Sequence, residues 1–218
     1  YDIDIDSIEA SDDLKIESIN KYHNGNINID KINVSDGDLT ITNEKGDIDL
    51  ESINADGDVI LTNYDKGSIF IKDSITTLNN HSFYANLEDG DLEVKSGDIE
   101  GEASIYSENG NVLLANTSVN DELDVRAKNG LISVVADIFV GKDATLKSDN
   151  EDVLLSNAEV EGNLKLSAKK QALILDAKVG GSMLIKGDEV GCTAKTLNVG
   201  EDLIANSQTG SINIESAT

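Results

Sequence analysis

One interval runs through the whole chain. The segments GDLTI (37–41), GDVIL (57–61), HSFYA (81–85), GEASI (101–105) and DELDV (121–125) are followed by KDATL (142–146), GNLKL (162–166), GSMLI (181–185) and EDLIA (201–205). They place an apolar residue at Leu39, Val59, Phe83, Ala103, Leu123, Ala144, Leu164, Met183 and Leu203, at steps of 19 to 21 residues except for the 24 between Val59 and Phe83. A fixed period of this length marks an array in which each repeat is one supersecondary unit. Such a unit cannot bury its apolar face alone and must stack on a neighbour.

A second landmark follows within each repeat. Gly25, Gly46, Gly67, Gly90, Gly110 and Gly130 recur at steps of 20 to 23 residues, Glu151 and Gln171 take the place of glycine later, and Gly210 restores it. After each comes a short alternating run, among them DIDL (47–50), SIFI (68–71), NVLL (111–114) and DVLL (152–155). A third apolar pair closes the repeat, as in Ile32 and Val34, Ile138 and Val140, Ala158 and Val160, Ala177 and Val179, and Leu197 and Val199. Three segments of period two in constant order predict three short strands per coil. The expected fold is all-β: a single-stranded parallel β-helix, right-handed, of about ten coils. At a strand spacing of about 4.8 Å, that is a rod roughly 45 Å long.

The corners carry the residues that tight turns need. Three read Asp-Gly-Asp (36–38, 56–58, 89–91) and two read Asn-Gly-Asn (24–26, 109–111). Glycine reaches φ > 0 without steric cost, and Asn and Asp tolerate that region. The same dipeptides favour type I′ hairpins, but a meander of hairpins has no need for a constant order of three apolar pairs. Asp38 and Asp58 fall at matching corners and are expected to face each other across the coil spacing.

The composition agrees with a slim interior. Aromatics are 4% of the chain and Trp is absent, so the core must be aliphatic. Proline, which cannot donate to a ladder, is also absent. Leu164, Leu166, Ile174, Met183, Ile185, Leu203 and Cys192 are expected to point inward. Residues 1–218 read as one rod, with an irregular first coil over 1–22 and a loop insertion over 72–82 that absorbs the long interval. No polar capping helix is visible, and bare ends would expose strand edges. The sequence therefore predicts neighbouring coils or subunits stacked end to end as partners.

Later coils carry a more particular pattern: Val160-Glu-Gly-Asn-Leu-Lys-Leu-Ser-Ala168, Val179-Gly-Gly-Ser-Met-Leu-Ile185 and Val199-Gly-Glu-Asp-Leu-Ile-Ala205. These resemble the haemagglutinin repeats of filamentous-haemagglutinin-like adhesins exported by two-partner secretion, closely over 120–218 and more loosely over 30–120. The resemblance implies the shaft of a secreted bacterial surface protein, with any receptor-binding region elsewhere in the full protein. The Asn-Pro motif of that family's secretion domain has no counterpart in a chain without proline.

Charge bounds the chemistry. With 42 acidic against 17 basic residues the formal charge is −25, and Arg126 is the sole arginine. Nucleic acid binding requires clustered Lys and Arg, so nucleic acid is excluded as a partner. Docking to anionic lipid is disfavoured for the same reason, and no apolar run approaches the ~20 residues of a membrane span. A lyase acting on polyuronate needs cations against the substrate carboxylates. A glycosidase needs one defined carboxylate pair, and no Trp platform singles one out. Thr40, Thr42 and Thr62 do not extend into the flat ladder that binding to ice would use. His23 and His81 lie in different coils outside any metal-ligand spacing, and are expected to be solvated. The Asp-Gly-Asp corners resemble calcium turns only in being rich in oxygen. The sequence therefore predicts no catalytic, cofactor-binding or metal-binding residue and no cofactor. It points to a non-catalytic, extracellular spacer, with a self-assembling filament subunit as the alternative and a polysaccharide-active β-helix enzyme as the weaker one.

Overall fold

A computed structural model describes residues 2–19 and 22–218. Every strand pairs in parallel with its counterpart one turn away, in two sheets. The larger contains Ile3–Ala10, Ile27–Val34, Ile48–Ala55, Ile69–Thr77, Leu92–Val94 with Gly97–Ile99, Val112–Val119, Ile132–Val140, Val153–Leu155 with Ala158–Val160, Gln171–Val179, Gly191–Val199 and Ser211–Ala217. The smaller contains Leu14–Ser18, Leu39–Asn43, Val59–Lys66, Phe83–Asp89, Ala103–Ser107, Leu123–Ala127, Ala144–Ser148, Leu164–Ala168, Met183–Gly187 and Leu203–Asn206. Numbered by the larger sheet, these are eleven turns of a parallel β-solenoid. At about 4.8 Å per turn, they stack to roughly 48 Å.

The three apolar pairs per coil are present, but they lie on two sheets. In most turns the second and third pairs share one hydrogen-bonded strand folded at a corner, as the burial of Ile27–Val34 shows: inward Ile27 and Ile29, outward Asp30 and Lys31, inward Ile32 and Val34. Only turns 5 and 8 break the strand there. Two adjacent outward residues turn the wall while the ladder to the next turn continues.

Register is carried by columns of like residues. Ile27, Ile48, Ile69, Leu92, Val112, Ile132, Val153, Ala172 and Cys192 pair in sequence, all buried. Of the residues expected to point inward, Leu164, Leu166, Ile174, Met183, Ile185 and Cys192 are buried. Leu203 is the exception: it packs against the core but stays half-exposed. It lies in the last strand of its sheet, where a neighbour covers one side only.

Residues 2–19 form a regular first turn, with Ile3 to Ala10 in register with Ile27 to Val34 and Leu14 with Leu39. Residues 1, 20 and 21 of the span 1–22 fall outside the described residues. The insertion expected over 72–82 divides in two. A one-residue register shift opposes Leu50–Ser52 to Ile71–Ser74, and a turn over 78–82 is two residues longer than the 56–58 turn beneath it. Between them the strand runs on to Thr77.

The corners explain the recurrent Asp, Asn and Gly. The last residue of the turn, which follows the corner glycine in most coils, uses its side chain to accept the backbone N–H of its counterpart one turn on. Thus Asp58 N–H donates to Asp38 (2.9 Å), Ser82 N–H to Asp58 (2.8 Å) and Asn163 N–H to Asp143 (2.7 Å). The second corner repeats this from Asp47 to Asn26 (2.9 Å), Ser68 to Asp47 (2.8 Å) and Asn111 to Asp91 (2.7 Å). Matching corners do stack, and each carboxylate satisfies a backbone donor that would otherwise lack a partner. Lysines offset part of the remaining charge between turns, as in Lys128–Glu108 (2.6 Å), Lys45–Asp65 (3.0 Å) and Lys178–Glu159. The glycines allow the close approach: at Gly90 (φ +133°) and Gly110 an added Cβ would fall on the carbonyl oxygen of the glycine one turn earlier. Inside the corner, buried Asn43 donates to the Gly25 and Gly46 carbonyls (2.8 and 3.0 Å), and Asn63 to Gly46 (2.8 Å).

Candidate functional site

Three places on the outer surface gather polar chemistry. The first is the lengthened turn over 78–82. Asn79 and Asn80 adopt φ of 54° and 62°, which only Gly, Asn and Asp take readily. This turn sets His81 Nδ1 3.2 Å from Asp58 Oδ1, with Asp38 alongside, so that one ligand atom from each lies within 4.8 Å of the others. Both carboxylates already accept a backbone N–H. Calcium takes six to eight oxygens; this trio offers two carboxylates and an imidazole. Next to it the Tyr84 hydroxyl donates to Glu102 Oε1 (2.7 Å), and this bond holds the phenol above its ordinary pKa.

The second is a shallow depression of about 210 Å³ on the outer face of the smaller sheet, over turns 3–5. Ile60, Tyr84 and Tyr106 line it, and Tyr64 stands exposed in the same turn as Ile60. Cross-strand packing of aromatic and β-branched residues accounts for the grouping.

The third is the largest: a groove of about 980 Å³ running along the rod over turns 5–10, at the corner between the second and third apolar pairs. One wall is an outward column with one residue per turn: Asp98, Ser118, Phe139, Glu159, Lys178 and Asn198. The other is the corner itself, with Asn116, Asp137, Asn157 and Asp176. Asn157 donates to Asp137, and Lys178 pairs with Glu159. Asn116, Ala136 and Asn157 take left-handed backbone (φ 46°, 64° and 52°) at three successive corners, the middle one carrying one extra residue. Behind the outer wall the inward column reads Gly97, Thr117, Ile138, Ala158 and Ala177, where turns 2–4 have Ile32, Ile53 and Ile75. Four of the six turns along the groove carry a small residue in that column, and Ile138 and, in turn 10, Leu197 are the exceptions.

The sequence singled out none of these residues as a site. His81 was expected to be solvated; the structure places it half-exposed and against Asp58. A readable trace of the groove exists in the run of Gly97, Thr117, Ala158 and Ala177 at a phase held earlier by isoleucine, together with Asn116 and Asn157 at matching corners. Cys192, the sole cysteine, is buried, and burial pushes its thiol pKa up. Compared with protein families, curated proteins and solved structures, the chain matches none.

Proposed function

We propose that this chain is a non-catalytic shaft segment of a secreted bacterial surface adhesin, holding a binding region away from the cell. The observation that carries this reading is the uniformity of the stack. Each turn pairs only with its immediate neighbours. Every 20 residues or so therefore add about 4.8 Å of length. A single aliphatic core runs through it, from Ile27 to Leu197. Such an object resists bending and transmits position, which is what a spacer does. The haemagglutinin-like pattern of 160–168, 179–185 and 199–205 supports the adhesin class. In the structure it occupies the stretch from the third apolar pair through a turn into the smaller sheet.

A second reading is a subunit of an extracellular filament whose coils continue across chain boundaries, because a stack in which each turn contacts only its neighbours can be extended by the turns of another chain.

Sedimentation velocity and small-angle X-ray scattering at high concentration separate the two. An elongated, monodisperse particle supports the shaft; spontaneous fibres support the filament. Turnover of any polysaccharide by the purified chain would overturn the non-catalytic reading.

A further inference from the structure

We infer that the groove over turns 5–10 binds a linear polysaccharide free of anionic groups, laid along the rod axis. Its shape sets the first constraint. The groove is open and crosses six turns, and the positions of its outward column repeat at about 4.8 Å over roughly 24 Å. A ligand that uses this repetition is itself a linear repeat.

Chemistry sets the second. The backbone of this wall is committed: Gly97 to Ile99 pair with Ile75 to Thr77 on one side and Thr117 to Val119 on the other, and the later turns continue the ladder. No strand edge is free along the groove, so an extended peptide cannot add to it by main-chain bonding, the mode that gives such peptides their affinity. What faces the ligand is side-chain amide, hydroxyl and carboxylate, in Asn116, Ser118, Asp137, Asn157, Asp176 and Asn198. These groups accept from and donate to hydroxyls. Phe139 stands midway along the outward column and offers a flat apolar face to the C–H side of a sugar ring.

Charge sets the third. Asp98, Asp137, Glu159 and Asp176 lie in or beside the groove, and among the described residues Lys178 is the one cation lining it, paired with Glu159. On a chain of charge −25, a polyuronate or sulfated glycan would be repelled. A neutral glycan, or one carrying amino groups, is not.

The test is isothermal titration calorimetry of the full chain with cellohexaose, maltohexaose, chitohexaose and chitosan hexamer, using polygalacturonate and oligolysine as contrasts. Binding of at least one of the four glycans is expected, with none of polygalacturonate. Phe139→Ala, which removes the ring, and Ser118→Trp, which fills the groove from its outer wall, should each weaken that binding at least tenfold. Tyr84→Ala and Tyr106→Ala, in the separate tyrosine depression, should leave it unchanged. The two groove variants alter half-exposed outward positions, and their thermal melting should follow the parent chain. No binding of any of the four at millimolar concentration overturns the inference. So does binding indifferent to both groove variants, or oligolysine binding in their place.

Discussion

Turns 2–4 and turns 5–10 are built on the same corners and differ in what fills them. In turns 2–4 the inward position of the third pair is Ile32, Ile53 and Ile75, the long groove does not reach them, and the shallow tyrosine depression lies on their smaller sheet. In turns 5–10 that position is Gly97, Thr117, Ile138, Ala158, Ala177 and Leu197, small in four of the six, and the corners of turns 6–8 carry a left-handed residue at Asn116, Ala136 and Asn157. The parallel pairing of turn on turn runs through both, with register shifts at turns 4 and 7 and a divided strand at turns 5 and 8. A solenoid can therefore change the shape of its outside by changing one inward column, while the stacking that holds it together stays the same. Stability comes from what the turns share, and surface features from where they differ.

Variants can break or sharpen this contrast. The largest effect should be the same in both halves: a charge in an apolar column. Leu164→Asp places a carboxylate at a fully buried position with no partner, which should cost more than about 4 kcal/mol. Chemical denaturation measures it, and an unchanged midpoint would mean the inward register is off by one residue.

The next effect separates the regions. Ile53→Ala empties a filled column and should cost about 2–5 kcal/mol. Ala158→Ile, its reciprocal, overpacks the small column and should cost about 1–3 kcal/mol. If Ala158→Ile were neutral, the core of turns 5–10 would have spare room and the two halves would not differ as described.

A smaller effect tests the corner. Ala136 at φ 64° is strained for a residue with a Cβ. Ala136→Gly relieves this at the expense of a freer unfolded chain, for a net gain of about 0.5–1 kcal/mol. The equivalent change in turn 3, Glu51→Gly, relieves nothing and should destabilise. Equal responses would erase the difference between the corners.

The smallest effect concerns charge. Stacked carboxylates such as Asp38 and Asp58 repel across the turn spacing, although each accepts a backbone N–H. Sodium chloride should therefore raise the melting temperature smoothly by screening. Millimolar calcium at fixed ionic strength should add nothing, even with His81 beside the pair. Indifference to salt would show that lysines such as Lys45 and Lys128 already offset the columns.

The fold was legible because it rests on periodicity. Leu39 to Leu203 recur in the phase of a stacked coil, and the structure pairs them in that order. The division into sheets was less legible, because Asp30 and Lys31 read as the gap between two strands, whereas both lie within one strand and the ladder skips only Asp30. Asn43 and Asn63 look like polar strand ends; their alternation with Ile41 and Leu61 was the sign that they turn inward to the glycine carbonyls. The groove was not legible, because concavity depends on the bulk of several inward residues together and on a left-handed Ala136 that no propensity announces.

The central claim is that one turn of about 20 residues is the unit of this fold. Excising residues 111–130, one full turn from corner to corner, should leave every column in register and yield a shorter rod with a β-rich far-UV spectrum and a single cooperative melting transition. Excising residues 111–120 alone sets the two sheets out of phase with each other and should abolish that transition. Circular dichroism melting of the two deletions is the direct comparison. If both melted alike, the turn would not be the unit, and the stacking account would be wrong.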